Sequence, residues 1–197
     1  MADGLADALG LRRAQPADAA AVAAIYAPYV RDTAISFETE PPDTATMAAR
    51  IAAVLGIGLP WIIALDSQGR VAGYAYAGRF HARHAYRYAV EPTVYLDREA
   101  RGAGTGSLLY ARLMLILEQL GYRQAVALVT LPNPASVALH ERFGFRHTGT
   151  HAEVGRKFGR WIDVGLFQRA LGTGAADAPA GEPLALEASA GWRALAE

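Results

Sequence analysis

A glycine-rich loop that precedes an apolar run is the first feature of this sequence with chemical potential. Residues 101–107 read RGAGTGS, with three glycines in five positions. Glycine is costly inside regular structure, so this composition indicates a loop that needs a bare backbone. Where such a loop opens a helix, the free N–H groups and the helix dipole attract an anion. The sequence therefore predicts an anion-binding loop; the alternative is a tight loop without a ligand.

Two common nucleotide motifs do not fit this loop. A Walker loop requires Gly-Lys followed by Ser or Thr, and the segment contains no lysine. A dinucleotide fingerprint GxGxxG would begin at Gly102 and Gly104, but Ser107 occupies the third glycine position. It would also need an acid about twenty residues further on, and residues 122–130 contain none. ATP and NAD are therefore not the predicted ligands.

An acidic side chain lies on the strand predicted just before the loop. Residues 90–96 read VEPTVYL, and their period-two alternation places Glu91, Thr93 and Tyr95 on one face. Pro92 cannot donate a ladder hydrogen bond, so the strand needs a bulge or an unpaired edge there. An acid beside such an irregularity, ahead of an anion-binding loop, suits proton transfer. The alternative is a solvated or salt-bridged carboxylate.

The elements that must position these residues alternate between strands and helices. Periodicity and turn residues predict strands over 11–14, 61–65, 71–77, 88–96, 125–130 and 161–167. They predict helices beginning after Asp18 and after Asp43 or Thr44, and over residues 107–120 and 135–142, with Pro28 kinking the first helix or ending it early. This order indicates an α/β fold with early hairpins and a central strand–loop–helix–strand unit.

Composition excludes several classes of protein. The formal net charge is zero and the pI is about 7.0, which argues against nucleic-acid and membrane-surface partners. Cysteine is absent, and the five histidines lack metal-site spacing, so we expect no metal. No apolar run approaches bilayer-spanning length, and the first residues lack a basic region typical of signal peptides. We therefore expect a cytoplasmic protein.

The last 26 residues differ in composition from the rest of the chain. Residues 172–197 are rich in Ala, Gly, Pro and acids, which is typical of a poorly ordered tail. We therefore expect one domain over residues 1–171. The alternative is a short docked helix that uses Leu184, Leu186, Trp192 and Leu195.

Four blocks in this order resemble the GCN5-related N-acetyltransferase (GNAT) superfamily. They are YAGRFHARHAYRYAVEPTVYL, the loop segment DREARGAGTGSLLYARL, LPNPASVALHERFGF and GRKFGRWIDVGLFQ. Within the superfamily the sequence is most similar to acetyltransferases of phosphinothricin and of methionine sulfone or sulfoximine. The resemblance covers about residues 10–171. It implies a mixed, mostly antiparallel sheet that splays between two central parallel strands, with helices on both faces.

The resemblance also implies acetyl-CoA as co-substrate. Pantetheine would pair with the backbone of the first central strand, and the pyrophosphate would lie on the loop amides. The implied cofactor residues are Val94, Tyr95, Leu96, Arg101, Gly102, Ala103, Gly104, Thr105, Gly106, Ser107 and Asn133. Gly102 replaces a second basic residue that relatives often have, which would weaken the phosphate contact.

Transfer of an acetyl group to an amine needs a neutral amine, and this assigns roles to two residues. Glu91 is the implied general base, acting directly or through water, and a backbone N–H near Tyr95 and Leu96 would hold the oxyanion. His140 occupies the place where many relatives have a tyrosine that protonates the leaving thiolate. It would donate or accept a proton, or only pack against the cofactor.

The substrate implied by the resemblance is a small polar amino-acid analogue. The planar guanidinium group of arginine suits the acidic or sulfonyl oxygens of such a substrate. An arginine-rich loop, residues 79–87, lies directly before the Glu91 strand. The implied substrate-side residues are Phe37, Arg79, Phe80, Arg83, Tyr86 and Thr93. The resemblance further suggests a homodimer. The alternatives are an acetyltransferase for another amine, such as a peptide N-terminus or a polyamine, and a non-catalytic acyl-CoA-binding module.

Overall fold

One mixed sheet of seven strands organises residues 10–172 and 181–195, the parts of the chain described by this computed structural model. The strands are β1 (Gly10–Arg13), β2 (Trp61–Leu65), β3 (Val71–Arg79), β4 (Ala89–Leu96), β5 (Gln124–Thr130), β6 (Arg146–Lys157) and β7 (Arg160–Ala170). The α-helices are α1 (Ala19–Asp32), α2 (Thr44–Gly56), α3 (Thr105–Gln119), α4 (Pro134–Arg142) and α5 (Ala190–Arg193). Short 3-10 turns span Pro16–Asp18, His84–Tyr86 and Leu186–Ala188.

The sheet opens at its centre. Its strand order is β1-β2-β3-β4-β5-β7-β6, and neighbours run antiparallel except for β4 and β5. The parallel pair is joined at Ala89 with Gln124 and at Val90 with Ala125. Beyond these two pairs the strands diverge. The predicted sheet with two splayed central strands is confirmed.

Helices cover both faces of the sheet, as predicted. On one face, α1 and α2 pack with Val22, Ile25, Tyr26 and Ile51 against Trp61, Ile63 and Tyr74. On the other face, α3 packs with Leu109, Leu113, Met114 and Leu117 against Ile62, Ala75, Ala127 and Phe167. These two apolar layers hold the central strands in place while leaving the gap between them accessible.

Capping signals set several helix limits. Asp43 accepts a hydrogen bond from the Thr46 N–H at 2.7 Å, which decides between the two N-caps considered for α2. Gly121 follows the last turn of α3 with φ of 82°, the left-handed conformation typical of a C′ glycine. Pro28 does not end α1 early, since the helix continues to Asp32.

Strand β6 is the element that the sequence pattern missed. Its sequence, RHTGTHAEVGRK, lacks apolar alternation because β6 is an edge strand with little to bury. Nine of its twelve side chains are exposed, and register shifts interrupt its pairing with β7. Gly155 and Lys157, near its end, are more buried than their exposed neighbours.

Residues 181–195 pack against the domain, which differs from the poorly ordered tail expected for this part of the chain. Trp192 on α5 is only 3% exposed, and the Arg13 guanidinium lies 5.1 Å from its ring centroid. Gln119, at the end of α3, accepts hydrogen bonds from the Ser189 hydroxyl and the Gly191 N–H at 2.7 and 2.8 Å. The alternative of a docked short helix describes this part of the chain, because its few apolar residues cover the end of α3. Residues 173–180 and 196–197 lie outside the described ranges.

Candidate active site

A groove of about 530 Å³ runs from the opening between β4 and β5 to the glycine loop. It is walled by α4 on one side and by β4 on the other. The predicted cofactor residues that line it are Val94, Tyr95, Leu96, Arg101, Gly102, Gly104, Gly106, Ser107 and Asn133. The two others, Ala103 and Thr105, are not among its lining residues; Thr105 is 1% exposed and begins α3.

The glycine loop has the backbone that its composition predicts. Gly102 and Gly104 adopt φ of 80° and 82°, which glycine tolerates without strain. Gly104 is the N-cap of α3, so the first N–H groups of a 15-residue helix point at the groove. A Cβ on Gly106 would lie 3.2 Å from Leu96 Cδ1, so this glycine permits the close approach of loop and strand.

Two arginines bring positive charge to the loop. The Arg101 guanidinium lies 5.0 Å from the Tyr29 ring centroid. Arg142, at the end of α4, donates to the Ser107 hydroxyl at 3.1 Å and also lines the groove. The sequence analysis missed Arg142, which supplies a second cation despite the glycine at position 102.

The backbone of β4 alternates between its partner strand and the opening. The N–H of Asp97 donates to Ala72 and that of Phe80 donates to Ala89, so the odd-numbered residues of β4 bond to β3. The N–H and C=O groups of even-numbered residues face the other way. Beyond Val90 that direction is the gap to β5. Pro92 therefore lies at an unpaired edge rather than at a bulge, which decides between the two alternatives.

This alternation separates the three β4 residues predicted to pair with pantetheine. The N–H and C=O of Val94 face the opening, whereas those of Tyr95 face β3. Both backbone groups of Leu96 contact the Tyr29 hydroxyl: its N–H donates at 3.2 Å and its C=O accepts at 2.7 Å. Of the three residues, Val94 is therefore the one whose N–H and C=O face the gap and make no hydrogen bond to Tyr29.

A second cavity of about 260 Å³ adjoins the groove at the opening and contains the predicted catalytic pair, Glu91 and His140. Its other lining residues include Ile35, Ser36, Phe37, Tyr76, Thr93, Val129, Asn133 and Ser136. Burial raises the pKa of the Glu91 carboxyl above its ordinary value. A carboxylate with a raised pKa accepts a proton more readily than an exposed one, which suits a base.

His140 is held by the backbone of its own helix. Its Nδ1 lies 2.7 Å from the Ser136 carbonyl oxygen, which assigns the Nδ1 proton to that hydrogen bond. Its Nε2 is buried without a hydrogen-bond partner in the described structure. Aromatic rings surround it, with Phe145 at 5.1 Å and Tyr110 at 5.3 Å between centroids. Burial lowers the pKa of this imidazole, so the neutral form is favoured.

Asn133 and Ser136 lie where groove and cavity meet. Asn133 is the N-cap of α4, and its Oδ1 accepts from the Ser136 N–H at 3.2 Å. The Ser136 hydroxyl lies 3.3 Å from His140 Nδ1. The sequence analysis missed Ser136; its position one helical turn before His140 was the available signal.

Four of the predicted substrate residues do not line this cavity. Arg79 ends β3, and Phe80, Arg83 and Tyr86 belong to the β3–β4 connection, at the end where β4 still pairs with β5. Their rings pack on each other, with Phe80 and Tyr86 at 5.9 Å. Phe37 and Thr93 do line it. The arginine-rich loop and the cavity are thus separate features of the single chain.

Neither a metal centre nor a membrane span is found in the described ranges. Within residues 10–172 and 181–195, no group of three or more His, Cys, Asp or Glu side chains could ligate a metal. No helix in the same ranges is long and apolar enough to cross a bilayer.

Comparison with known proteins assigns the chain to a family. The profile of the acetyltransferase (GNAT) domain matches residues 11–166, most of the chain. The chain belongs to the GNAT acetyltransferase family. The strand opening, the glycine loop at the start of α3 and helix α4 are therefore elements of a GNAT domain.

The GNAT relatives include enzymes with named substrates. The chain is 44% identical to the phosphinothricin N-acetyltransferase of Alcaligenes faecalis over 158 residues, 80% of each protein. It is 35% identical to the L-methionine sulfoximine/L-methionine sulfone acetyltransferase of Pseudomonas paraeruginosa, over 80% of this chain and 92% of that protein. The structure of a GNAT superfamily phosphinothricin acetyltransferase from Sinorhizobium meliloti, in complex with AcCoA, superposes with a TM-score of 0.85 at 40% identity, covering 89% of this chain and 95% of that one.

The GNAT groove fits a long, anionic cofactor on its own geometry. The glycines keep side chains out of the loop, the N–H groups of α3 face the groove, and two arginines flank it. These are the features that hold a pyrophosphate.

Proposed function

We propose that the chain is an acetyl-CoA-dependent N-acetyltransferase whose acceptor is a small amino-acid analogue of the phosphinothricin or methionine sulfone type. The observation that carries the proposal is the junction of the anion-binding groove with the cavity of Glu91. The 44% identity to a phosphinothricin N-acetyltransferase supports the acceptor class.

The groove would hold acetyl-CoA by its phosphates and its pantetheine arm. The N–H groups of residues 102–107 and the side chains of Arg101 and Arg142 would bind the pyrophosphate, and the Val94 C=O would accept a hydrogen bond from pantetheine. When bound, acetyl-CoA supplies the activated acetyl group. The rest of the chemistry belongs to this chain's own residues.

Glu91 would act as the general base, directly or through one water. An amino-acid amine is largely protonated at neutral pH and must lose a proton before it attacks. The burial that raises the pKa of Glu91 makes it a stronger acceptor for that proton. Glu91 lines the cavity proposed to hold the amine, so its carboxylate would lie beside the attacking nitrogen.

The donor for the developing negative charge would be the Val94 N–H rather than that of Leu96. The Leu96 N–H already donates to the Tyr29 hydroxyl, whereas the Val94 N–H faces the opening. A preorganised backbone donor at that point stabilises an oxyanion. This refines the expectation of a donor near Tyr95 and Leu96.

His140 would position Ser136 and pack against the site rather than transfer a proton. Its Nδ1 proton is engaged by the Ser136 carbonyl, its Nε2 is buried, and burial favours the neutral form. A neutral imidazole that donates its single proton to a carbonyl is a poor general acid. Among the alternatives for this histidine, packing has the stronger support.

We also propose a cytoplasmic homodimer. Val154, Phe158 and Trp161, on and between β6 and β7, are 54–61% exposed and offer an apolar surface to a second copy. Light scattering of the purified protein tests this, and Trp161→Glu should shift a dimer toward monomer. A monomeric wild type would contradict it.

The experiment that tests the function is a thiol-release assay with acetyl-CoA. We expect release with phosphinothricin, methionine sulfone and methionine sulfoximine, and much less with spermidine or an alanyl peptide. A preference for either of the last two would replace the proposed acceptor. Binding of acetyl-CoA with no release for any amine would instead indicate a non-catalytic module.

A further inference from the structure

The one lysine of this sequence is buried beside the cavity of Glu91, which we propose to hold the amine and call the acceptor-side cavity. Of the nineteen Lys and Arg residues, eighteen are arginines and Lys157 is the exception. It ends strand β6 and is 7% exposed. A buried ammonium is costly unless hydrogen bonds compensate it, so its partners indicate its role.

Those partners are two main-chain carbonyls from different segments. Lys157 Nζ donates to Val30 O at 2.6 Å and to Ser36 O at 2.7 Å. Val30 lies in the last turn of α1, where carbonyls lack helical partners and a cation is favoured. Ser36 belongs to the segment that lines the cavity. The ammonium therefore joins the end of α1 to the cavity wall.

The same strand supports the next residue of that wall. Gly155 lies two positions before Lys157, on the same face of β6. A Cβ built on Gly155 would overlap the Phe37 ring carbons, so the ring lies directly on the glycine backbone. Any side chain at position 155 would displace Phe37, which lines the cavity.

Residues 35–38 are also fixed from the opposite side. The Tyr26 hydroxyl lies 2.6 Å from the Ser36 hydroxyl and donates to Glu38 at 2.9 Å. Arg50 on α2 holds the Glu38 carboxylate with two hydrogen bonds of 2.8 and 3.0 Å. The wall formed by Ile35, Ser36 and Phe37 is thus held between the end of β6 and the α1–α2 layer.

We propose that Gly155 and Lys157 are positioning residues for the binding of the amine acceptor by this enzyme. Through Phe37 and Ser36 they fix the wall of the cavity that also contains Glu91, and neither residue lines the cavity itself. The inference rests on the proposed function, because it assigns this cavity to the amine. The compact ammonium of lysine donates to two buried carbonyls from separate segments, whereas the larger, planar guanidinium of arginine would have to displace its neighbours.

The test uses Lys157→Met, Lys157→Arg and Gly155→Ala in the full chain. The first readout is amide hydrogen exchange without ligand, in which residues 35–38 should exchange faster in each variant while β4 and α3 keep the wild-type rate. The second is steady-state kinetics with phosphinothricin and methionine sulfone. We expect KM for the amine to rise about tenfold or more, and KM for acetyl-CoA to stay within about twofold.

Two matched controls lie on the same strand. Arg156 is exposed on the opposite face, so Arg156→Met should leave both readouts unchanged. Gly149 has only ordinary contact with Leu166, at 3.8 Å from a built Cβ, so Gly149→Ala controls for the added methyl group.

The outcomes separate this inference from the proposed function. Unchanged exchange at residues 35–38, or equal rises in both KM values, would overturn the positioning role. Wild-type inactivity toward every amine tested would overturn the proposed acceptor class. In that case faster exchange confined to residues 35–38 in Lys157→Met still supports the structural role, and unchanged exchange removes it.

Discussion

The groove proposed to hold acetyl-CoA and the cavity proposed to hold the amine meet at the same opening, but they are built in different ways. The groove takes its walls largely from two continuous stretches, residues 94–107 and 133–142, and offers backbone groups and glycines. The cavity takes its walls from residues 35–37, 76, 91–95, 127–130 and 133–140, and offers side chains. The groove is a local motif, whereas the cavity is a tertiary assembly.

This difference has a consequence for function. Backbone donors recognise a phosphate whatever the neighbouring side chains are, so a glycine loop can be kept while the acceptor changes. The acceptor-side wall depends on distant contacts, such as those between Lys157 and Ser36. Substitutions should therefore separate the two substrates, and four predictions on three substitutions test how completely.

The largest effect is expected for Glu91→Gln. Removing a general base lowers kcat by about a hundredfold or more, and KM for acetyl-CoA should stay unchanged because Glu91 lies in the cavity and not in the groove. In the wild type, activity should fall as pH decreases through a pKa raised above the ordinary glutamate value. Thiol release measured from the ordinary glutamate pKa up to pH 9 checks both statements, with exposed Glu99→Gln as control. Full activity of Glu91→Gln over that range would refute the base assignment.

Trp192→Ala should remove stability without affecting either site. Its ring is buried against the domain, and Trp192 lines neither the groove nor the cavity. Truncating a buried tryptophan lowers the free energy of unfolding by about 3 kcal/mol. We expect the melting temperature to fall by about 6–12 °C. Both KM values at 25 °C should match the wild type. A change in one KM alone would link the C-terminal segment to that site.

Gly104→Val should affect the groove alone. A β-branched residue at φ of 82° is strained, and its side chain would enter the anion-binding loop. We expect KM for acetyl-CoA to rise about tenfold, equivalent to about 1.4 kcal/mol, with KM for the amine little changed. Gly121→Val has the same φ at the other end of α3, so it controls for strain. A larger change in the amine KM would mean that the two sites are not separable.

The smallest effect is a pH-dependent gain of stability in Glu91→Gln. A carboxyl whose folded pKa is raised costs stability when it ionises, so the wild type loses stability as pH rises through that pKa. The variant should therefore melt slightly higher than the wild type at pH 7. The difference should vanish below the ordinary glutamate pKa. Melting curves at pH 4 and pH 7 test this, and a variant less stable at pH 7 would contradict it.

Much of the fold follows from periodicity, but one strand does not. The apolar spacing of α3 is strong because this helix buries one face. Strand β3 instead reads as a nearly continuous buried run, because helices cover both faces of the sheet. Strand β6 buries almost nothing and is held by its pairing with β7, so its sequence carries no such pattern. The loop of Arg79 and Arg83 also depends on tertiary placement. Its composition suits an acidic ligand, but Arg79 and Arg83 are not among the residues that line the cavity.

The sequence by itself determined the local elements of both the groove and the cavity. The glycine loop, the acid at position 91 and the asparagine that caps α4 are local features, so each can be recognised from its neighbours in the sequence. Only the tertiary structure decided how distant segments complete the two sites. Gly155 and Lys157 contact residues 36–37 of the cavity wall, and Arg142 reaches Ser107 in the glycine loop. Contacts between distant segments leave no periodic trace in the sequence, and they become visible only when the segments are packed together.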